Sequence, residues 1–252
     1  MRRWFRRIAA LGASSALAVV VAACTPGTTY PVGSVPTTGP LYIGTSTIHI
    51  CTASVVSSPT QNLVITAAHC VFGGSGRGMT FVPGSVNGSE PYGRWTVVAA
   101  YADPAWIHHH DPLVDIAILK VAPDQIFGAS LQVQQVTGGN KLIAAPATIG
   151  QVQLPAYAAG VGGWPFSCLA TAHRTGRYPT VTCSGGYVLG TSGAPFIQGS
   201  NVLGVIGGLQ GGGCLPTTEY SSPFNAATIA LLNRAASGAA GDTLPAAGSD
   251  GC

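Results

Sequence analysis

The chain has 252 residues, 46% of them apolar and only 8% charged, with 35 glycines and 18 prolines. Such a chain can bury one large core or two smaller ones, and its composition excludes both a disordered polymer and a fold of long, charge-laced helices; many short strands and turns are expected. The formal charge of +3 counts Arg2, Arg3, Arg6 and Arg7, which lie in a removable leader; without them seven basic residues face eight acidic ones, and no basic stripe remains for nucleic acid or a polyanionic substrate.

The leader comes first in the chain. A basic start, an apolar run from Ile8 to Val21 and the small pair Ala22-Ala23 before Cys24 have the layout of a secretory signal over residues 1–23. The run is short for a spanning helix, which makes an uncleaved anchor the weaker alternative. Val21-Ala22-Ala23-Cys24 resembles the lipobox of bacterial lipoproteins, in which the cysteine is lipidated and becomes the new N-terminus; ordinary cleavage nearby, with Cys24 incidental, is the alternative. Arg2-Arg3-Trp4-Phe5 is similar to a twin-arginine export signal over a short match. Apart from Cys24, six cysteines remain: Cys51, Cys70, Cys168, Cys183, Cys214 and Cys252. None has the tight paired spacing of a zinc site, and outside the cytoplasm three disulfides are the expected outcome.

Residues 24–40 hold four prolines and few large apolar side chains, the composition of an extended tether. From Leu41 onward, short apolar or alternating runs (Thr47–Val56, Trp95–Tyr101, Ile116–Val121, Leu131–Val136, Val202–Leu209) alternate with glycine-rich turns, as in a β-barrel or sandwich. The clear helix runs over Ala226–Arg234, with Ser222 as its N-cap and Pro223 in its first turn, and closes a domain spanning 41–235. Residues 237–252 are small and polar, a loose tail from 236 onward unless Cys252 pairs.

Three stretches carry chemistry. Asn62-Leu63-Val64-Ile65 reads as a buried strand, so that Thr66-Ala67-Ala68-His69-Cys70 sets an imidazole just past a strand end, where a general base can be held still. Asp115-Ile116-Ala117-Ile118-Leu119 puts a carboxylate at the mouth of an apolar strand, where it can orient that imidazole; Asp111 is its rival, but it precedes a proline in a polar loop. Gly190-Thr191-Ser192-Gly193-Ala194-Pro195 flanks a serine with glycines, which leaves its hydroxyl accessible and nearby N–H groups able to face an oxyanion. The order His69, Asp115, Ser192 is that of chymotrypsin-type barrels and differs from the orders on the subtilisin and α/β-hydrolase folds.

Over about residues 41–235 the chain therefore resembles the chymotrypsin/trypsin-like serine peptidases through T-A-A-H-C, D-I-A-I-L and G-T-S-G-A-P. The resemblance implies an all-β fold of two six-stranded antiparallel barrels with a C-terminal helix, and a site between the barrels. It also implies a Cys51–Cys70 bridge beside the base and an oxyanion hole from the N–H groups of Gly190 and Ser192. Departures matter too. Thr191 stands where many animal members have the aspartate that pairs with a liberated N-terminal amine, so that activation switch is expected to be missing. A trypsin-type carboxylate would occupy the position six before the nucleophile, which is Gly186, followed by Tyr187; cleavage after Lys or Arg is thus not supported from there. The strand Val202–Leu209 has no histidine of the glutamyl-endopeptidase kind, leaving a neutral or small apolar preference. Gly207-Gly208-Leu209 is the expected edge for an extended substrate, and Glu219 nearby has no role that the sequence assigns.

Each of these residues taken singly has a plain explanation; jointly, in order and flanked by cysteines, they point to an exported, lipid-anchored, monomeric serine endopeptidase. It would act on peptide or protein substrates and need no cofactor and no metal. His108-His109-His110-Asp111 could resemble a metal cluster, but consecutive side chains do not converge on one ion, and a solvated loop is expected. Cys168 with Cys183, and Cys214 with Cys252, is one pairing of the remaining cysteines; Cys183–Cys214 with Cys168–Cys252 is the other. A catalytically inactive module of the same fold that binds peptides or cell-envelope partners is the alternative function.

Overall fold

The computed structural model describes residues 26–159 and 163–246. The signal segment, Cys24 and Cys252 lie outside these residues. The chain opens on β1 (Thr29–Pro31) and then builds a first barrel from β2 (Thr38–Ile43), β3 (His49–Val56), β4 (Leu63–Thr66), β5 (Met79–Phe81), β6 (Trp95–Ala102) and β7 (Ala117–Val121). The six are closed in the order β2-β3-β4-β7-β6-β5, antiparallel throughout. Alternation explains why Leu63, Val64 and Ile65 of β4 form an unbroken apolar run. Val64 faces the barrel core with Val55, Phe81 and Trp95, whereas Leu63 and Ile65 face outward into a second cluster with Val202, Phe224 and Leu232, so both faces are dry.

Within the first barrel, α1 (Pro104–His109) joins β6 to β7; between the barrels come the hairpin β8 (Asp124–Ile126) with β9 (Ala129–Leu131), α2 (Val133–Thr137) and β10 (Lys141–Leu142). The second barrel uses β11 (Gly150–Gln153), β12 (Phe166–Thr175), β13 (Tyr178–Thr182), β14 (Pro195–Gln198), β15 (Asn201–Val205) and β16 (Thr218–Tyr220). The sheet runs β15-β14-β11-β12-β13-β16, with β10 added in parallel on β15 and β1 on β12. Among the described residues it is open as a ladder and meets itself at the Ile206–Ser221 bridge, backed by bonds from the Gly207 N–H to the Tyr220 carbonyl at 3.0 Å and from the Val205 N–H to Ser221 Oγ at 3.0 Å. The second unit is thus a looser barrel than the first. The closing helix, α3 (Ala226–Ala236), lays Leu231, Leu232 and Ala235 into the cluster that joins the barrels.

Several local readings change. Leu131–Val136 is not a strand: after Leu131 the chain turns into α2, because Gln135 Oε1 accepts from the Gln132 N–H at 2.7 Å and Val133 is buried in the first core. The N-cap of α3 is Asn225 rather than Ser222; its Oδ1 accepts from the N–H of Ala227 at 2.7 Å, and Thr228 Oγ1 accepts from the Asn225 N–H at 3.2 Å. The segment with tether composition is stitched into the second barrel, where Thr29 pairs with Cys168 and Tyr30 with Ser167; proline-fixed extended backbone suits an added strand as well as it suits a tether. The tail is held as well: Leu244 bridges Gly74, and Asp242 accepts from Arg234 and from the Ala102 N–H.

Candidate active site

His69 sits in a single 3-10 turn, Ala68–Cys70, immediately after β4, with both neighbours fully buried. Cys70 is bonded to Cys51 on β3, so the turn is tied to the adjacent strand on the side away from solvent. The His69 side chain keeps 19% exposure and Asp115 only 1%. The imidazole Nδ1 lies 2.7 Å from Asp115 Oδ2, and the His69 backbone N–H donates to Asp115 Oδ1 at 2.9 Å. One carboxylate therefore holds both the ring and the main chain of the same residue.

The Asp115 carboxylate takes a third bond from the Gly208 N–H at 2.8 Å. Burial on its own would raise this carboxyl, but the His69 charge and the three bonds to the anion outweigh it and hold it below the ordinary carboxylate range. Asp115 is itself positioned by Ser222, whose Oγ accepts from the Asp115 N–H at 3.0 Å and donates to the Pro112 carbonyl at 2.8 Å. Asp111 does different work: its Oδ1 accepts from the Leu113 N–H at 2.9 Å and starts the turn leading to Asp115. His108 and His109 end the short helix α1, and His110 caps it in the left-handed conformation, so the three histidines form a helix end rather than a loop.

Ser192 lies on the loop entering β14. Its carbonyl accepts from the Thr52 N–H at 2.8 Å, and Thr52 Oγ1 donates to the Gly190 carbonyl at 3.0 Å. The same Oγ1 accepts from the Tyr157 N–H at 3.1 Å, while the Thr52 carbonyl accepts from Thr66 Oγ1 at 2.9 Å. Thr52 follows Cys51 in sequence, so one stretch of β3 grips the turn that carries His69 through the disulfide and the loop that carries Ser192 through hydrogen bonds. Gly193 shows how close the approach is: φ is +81°, and a Cβ there would drive into Thr66 Oγ1 and the Thr52 carbonyl. Among the described residues, the N–H groups of Gly190 and Ser192 donate to no backbone carbonyl, and Gly190 has φ +96° with a Cβ position 2.5 Å from the Ala159 nitrogen. Thr191 is satisfied within its own turn, its Oγ1 donating to the Val188 carbonyl at 2.8 Å.

Beside Ser192 opens a cavity of ≈ 300 Å³ whose wall includes Tyr187, Thr191, Gly213, Leu215 and Glu219. Of the four residues expected at the substrate pocket, Tyr187 lines it. Gly186 faces Phe166 and Thr29, while Gly207 and Gly208 back onto Asp115, with their N–H groups donated to the Tyr220 carbonyl and to Asp115. The Cys168–Cys183 bridge braces the strand pair leading into this wall. That bridge selects one of the two pairings considered. Cys214 is also disulfide-bonded, and its expected partner Cys252 is outside the described residues. Cys51, Cys70 and His69 cluster within 4.8 Å of one another, but both thiols are consumed by their disulfide and offer no thiolate to a metal.

The profile of the trypsin family matches residues 25–226, most of the chain. The chain belongs to the trypsin family. It is a serine endopeptidase by that membership, and its two-barrel fold agrees with solved neighbours. The protease Anisep of Arthrobacter nicotinovorans superposes with a TM-score of 0.69 at 23% identity, covering 83% of this chain and 99% of that one. The thermostable serine protease AL20, from an extremophilic microorganism, gives 0.66 at 22% identity over 81% and 98%. A Glu endopeptidase gives 0.66 at 16% over 84% and 98%. No curated protein matches the chain by sequence.

Thr52 and Ser222 are the functional residues that sequence reading missed. Neither type is distinctive; the available signal was position, Thr52 directly after the cysteine that pairs beside His69 and Ser222 where a helix cap was expected.

Proposed function

We propose that Ser192, His69 and Asp115 form the catalytic triad of an exported endopeptidase. Ser192 Oγ attacks the scissile carbonyl as His69 takes its proton, Asp115 stabilises the imidazolium and fixes its tautomer, and the N–H groups of Gly190 and Ser192 receive the oxyanion. His69 then returns the proton to the leaving amine, and water hydrolyses the acyl-enzyme by the same relay. The single observation that carries this reading is the convergence on β3, where Thr52 binds the Ser192 loop and Cys51 binds the His69 turn. Local satisfaction of Thr191 supports a site that needs no terminal-amine switch.

Two disulfides within the described residues support export, and no described helix is long and apolar enough to cross a membrane. On the outer face of the cell membrane, lipid on Cys24 would anchor a monomer; mass analysis of the mature N-terminus tests this, an unmodified terminus elsewhere than Cys24 ruling it out. For catalysis, a fluorophosphonate probe should label the folded protein and fail on Ser192→Ala. No label on wild type, or a label that survives that substitution, overturns the triad.

A further inference from the structure

The cavity beside Ser192 contains one feature that the catalytic relay does not use. Glu219, on β16 opposite Val181, is 3% exposed and lines the cavity wall, and its buried Oε1 has no hydrogen-bond partner among the described residues. A carboxyl group buried without donors is costly to maintain, and one on the wall of a cleft beside Ser192 is placed where a ligand can supply the missing donor. No Lys, Arg or His lines the cavity, and Tyr187, the other titratable side chain on its wall, already donates its hydroxyl to the Leu154 carbonyl at 2.7 Å. Cys214 on the same wall is disulfide-bonded.

We propose that Glu219 is the specificity-determining residue of the primary pocket and that it selects substrates with a Lys or Arg side chain before the scissile bond. This deepens the peptidase reading and rests on it. The three kinds of occupant differ in what they leave behind. An apolar side chain leaves Oε1 unsatisfied. An acidic one brings a second anion into a cavity with no countercharge. A cationic one supplies both the missing donor and the countercharge. The acid enters from β16 and not from the segment before the nucleophile, where Gly186 stands, so the neutral preference expected from Gly186 gives way to a basic one. Burial supports the assignment: with the pocket empty it pushes the Glu219 carboxyl up to about 9, so the acid rests neutral and ionises when a cation arrives.

The test uses the full-length mature enzyme and peptide substrates that differ only in the residue before the cleaved bond: Lys, Arg, Leu, Gln or Glu. Wild type should cleave the Lys and Arg peptides with kcat/KM at least about tenfold above the others. Glu219→Gln, which keeps the shape and removes the charge, should lose about 30-fold or more on Lys and Arg while its rate on Leu changes little. The ratio of Lys to Leu rates should rise with pH toward 9 in wild type and stay flat in Glu219→Gln, since contributions from the shared relay cancel in the ratio. A wild type that favours Leu, Gln or Glu, or a basic preference unchanged in Glu219→Gln, overturns the inference while leaving the peptidase reading intact, provided fluorophosphonate still labels Ser192 in both proteins. Loss of labelling in wild type overturns that reading and the inference with it.

Discussion

The two barrels differ in how they are closed, and the difference divides the labour of the site. The first barrel is a continuous antiparallel ring, and the His69 and Asp115 positions both lie at the ends of its central strands β4 and β7, which pair from Leu63 to Thr66. The second is an open ladder that meets itself at Ile206 and Ser221, and its cavity wall draws on a loop with positive-φ glycines at Gly211, Gly212 and Gly213. Proton transfer needs two groups fixed to within a fraction of an ångström, which a closed hydrogen-bonded ring provides. A pocket needs a surface that evolution can reshape, which loops provide. Damage to the first barrel should therefore lower turnover on every substrate alike, whereas damage to the second should discriminate among substrates.

The largest effect expected is from Asp115→Asn. The amide cannot accept from the His69 ring, the His69 N–H and the Gly208 N–H and also stabilise an imidazolium, so kcat should fall by about 10⁴ with KM little changed. Steady-state kinetics on two unrelated peptides checks this. Unequal losses on the two would break the division between barrels.

Next comes Thr52→Val, which keeps the volume and removes the hydroxyl that donates to the Gly190 carbonyl and accepts from the Tyr157 N–H. Leaving those buried groups unpaired costs about 1–3 kcal/mol, and because they hold the loop of Ser192, the proposed nucleophile, the loss should appear in kcat, at about tenfold to a hundredfold. A change confined to KM would reassign Thr52 to the pocket.

A third prediction concerns stability on the pocket side. Unfolded, Glu219 ionises near the ordinary glutamate value of 4.5; folded, burial raises it to about 9. In that window the native protein holds a proton that the unfolded chain releases, so this group's contribution is full below about 4.5 and is lost as pH rises toward 9. Glu219→Gln lacks this pH dependence. Its melting temperature relative to wild type should climb as pH is raised from 5 to 8, and a constant difference would contradict the buried, neutral acid.

How much of this was legible beforehand follows from what each signal depends on. His69, Asp115 and Ser192 stand in short motifs that can be read locally, and β4 declares its double burial through three consecutive apolar residues, Leu63 to Ile65. Thr52 and Ser222 act across more than a hundred residues of sequence, Thr52 on Gly190 and Ser222 on Asp115, and a lone threonine or serine announces no such partner. The misread strand at Leu131–Val136 shows a related limit: two valines three apart suit a strand run or one helical turn, and the Gln132–Gln135 cap decides. The N-terminal segment was read by composition, yet pairing with β12 depends on an edge that only the fold exposes.

That segment supplies the smallest prediction and the sharpest test of the division. Gly27 exchanges bonds with Thr182 and Ser184, the Thr29 N–H donates to Ser184 Oγ at 2.8 Å, and Thr29 Oγ1 donates to the Gly185 carbonyl at 2.7 Å. The residues so held, Ser184 to Gly186, precede Tyr187 on the cavity wall. Gly185 and Gly186, at φ +129° and +94°, have little conformational preference of their own and depend on such outside contacts. Thr29→Val deletes one hydrogen bond, worth about 1 kcal/mol at a partly buried site, so KM for a peptide that fills the pocket should rise about fivefold while kcat and the rate of fluorophosphonate labelling hold. Should labelling slow in parallel with KM, the N-terminal strand would be acting on the nucleophile loop itself, and the second barrel could no longer be described as shaping the pocket apart from the chemistry.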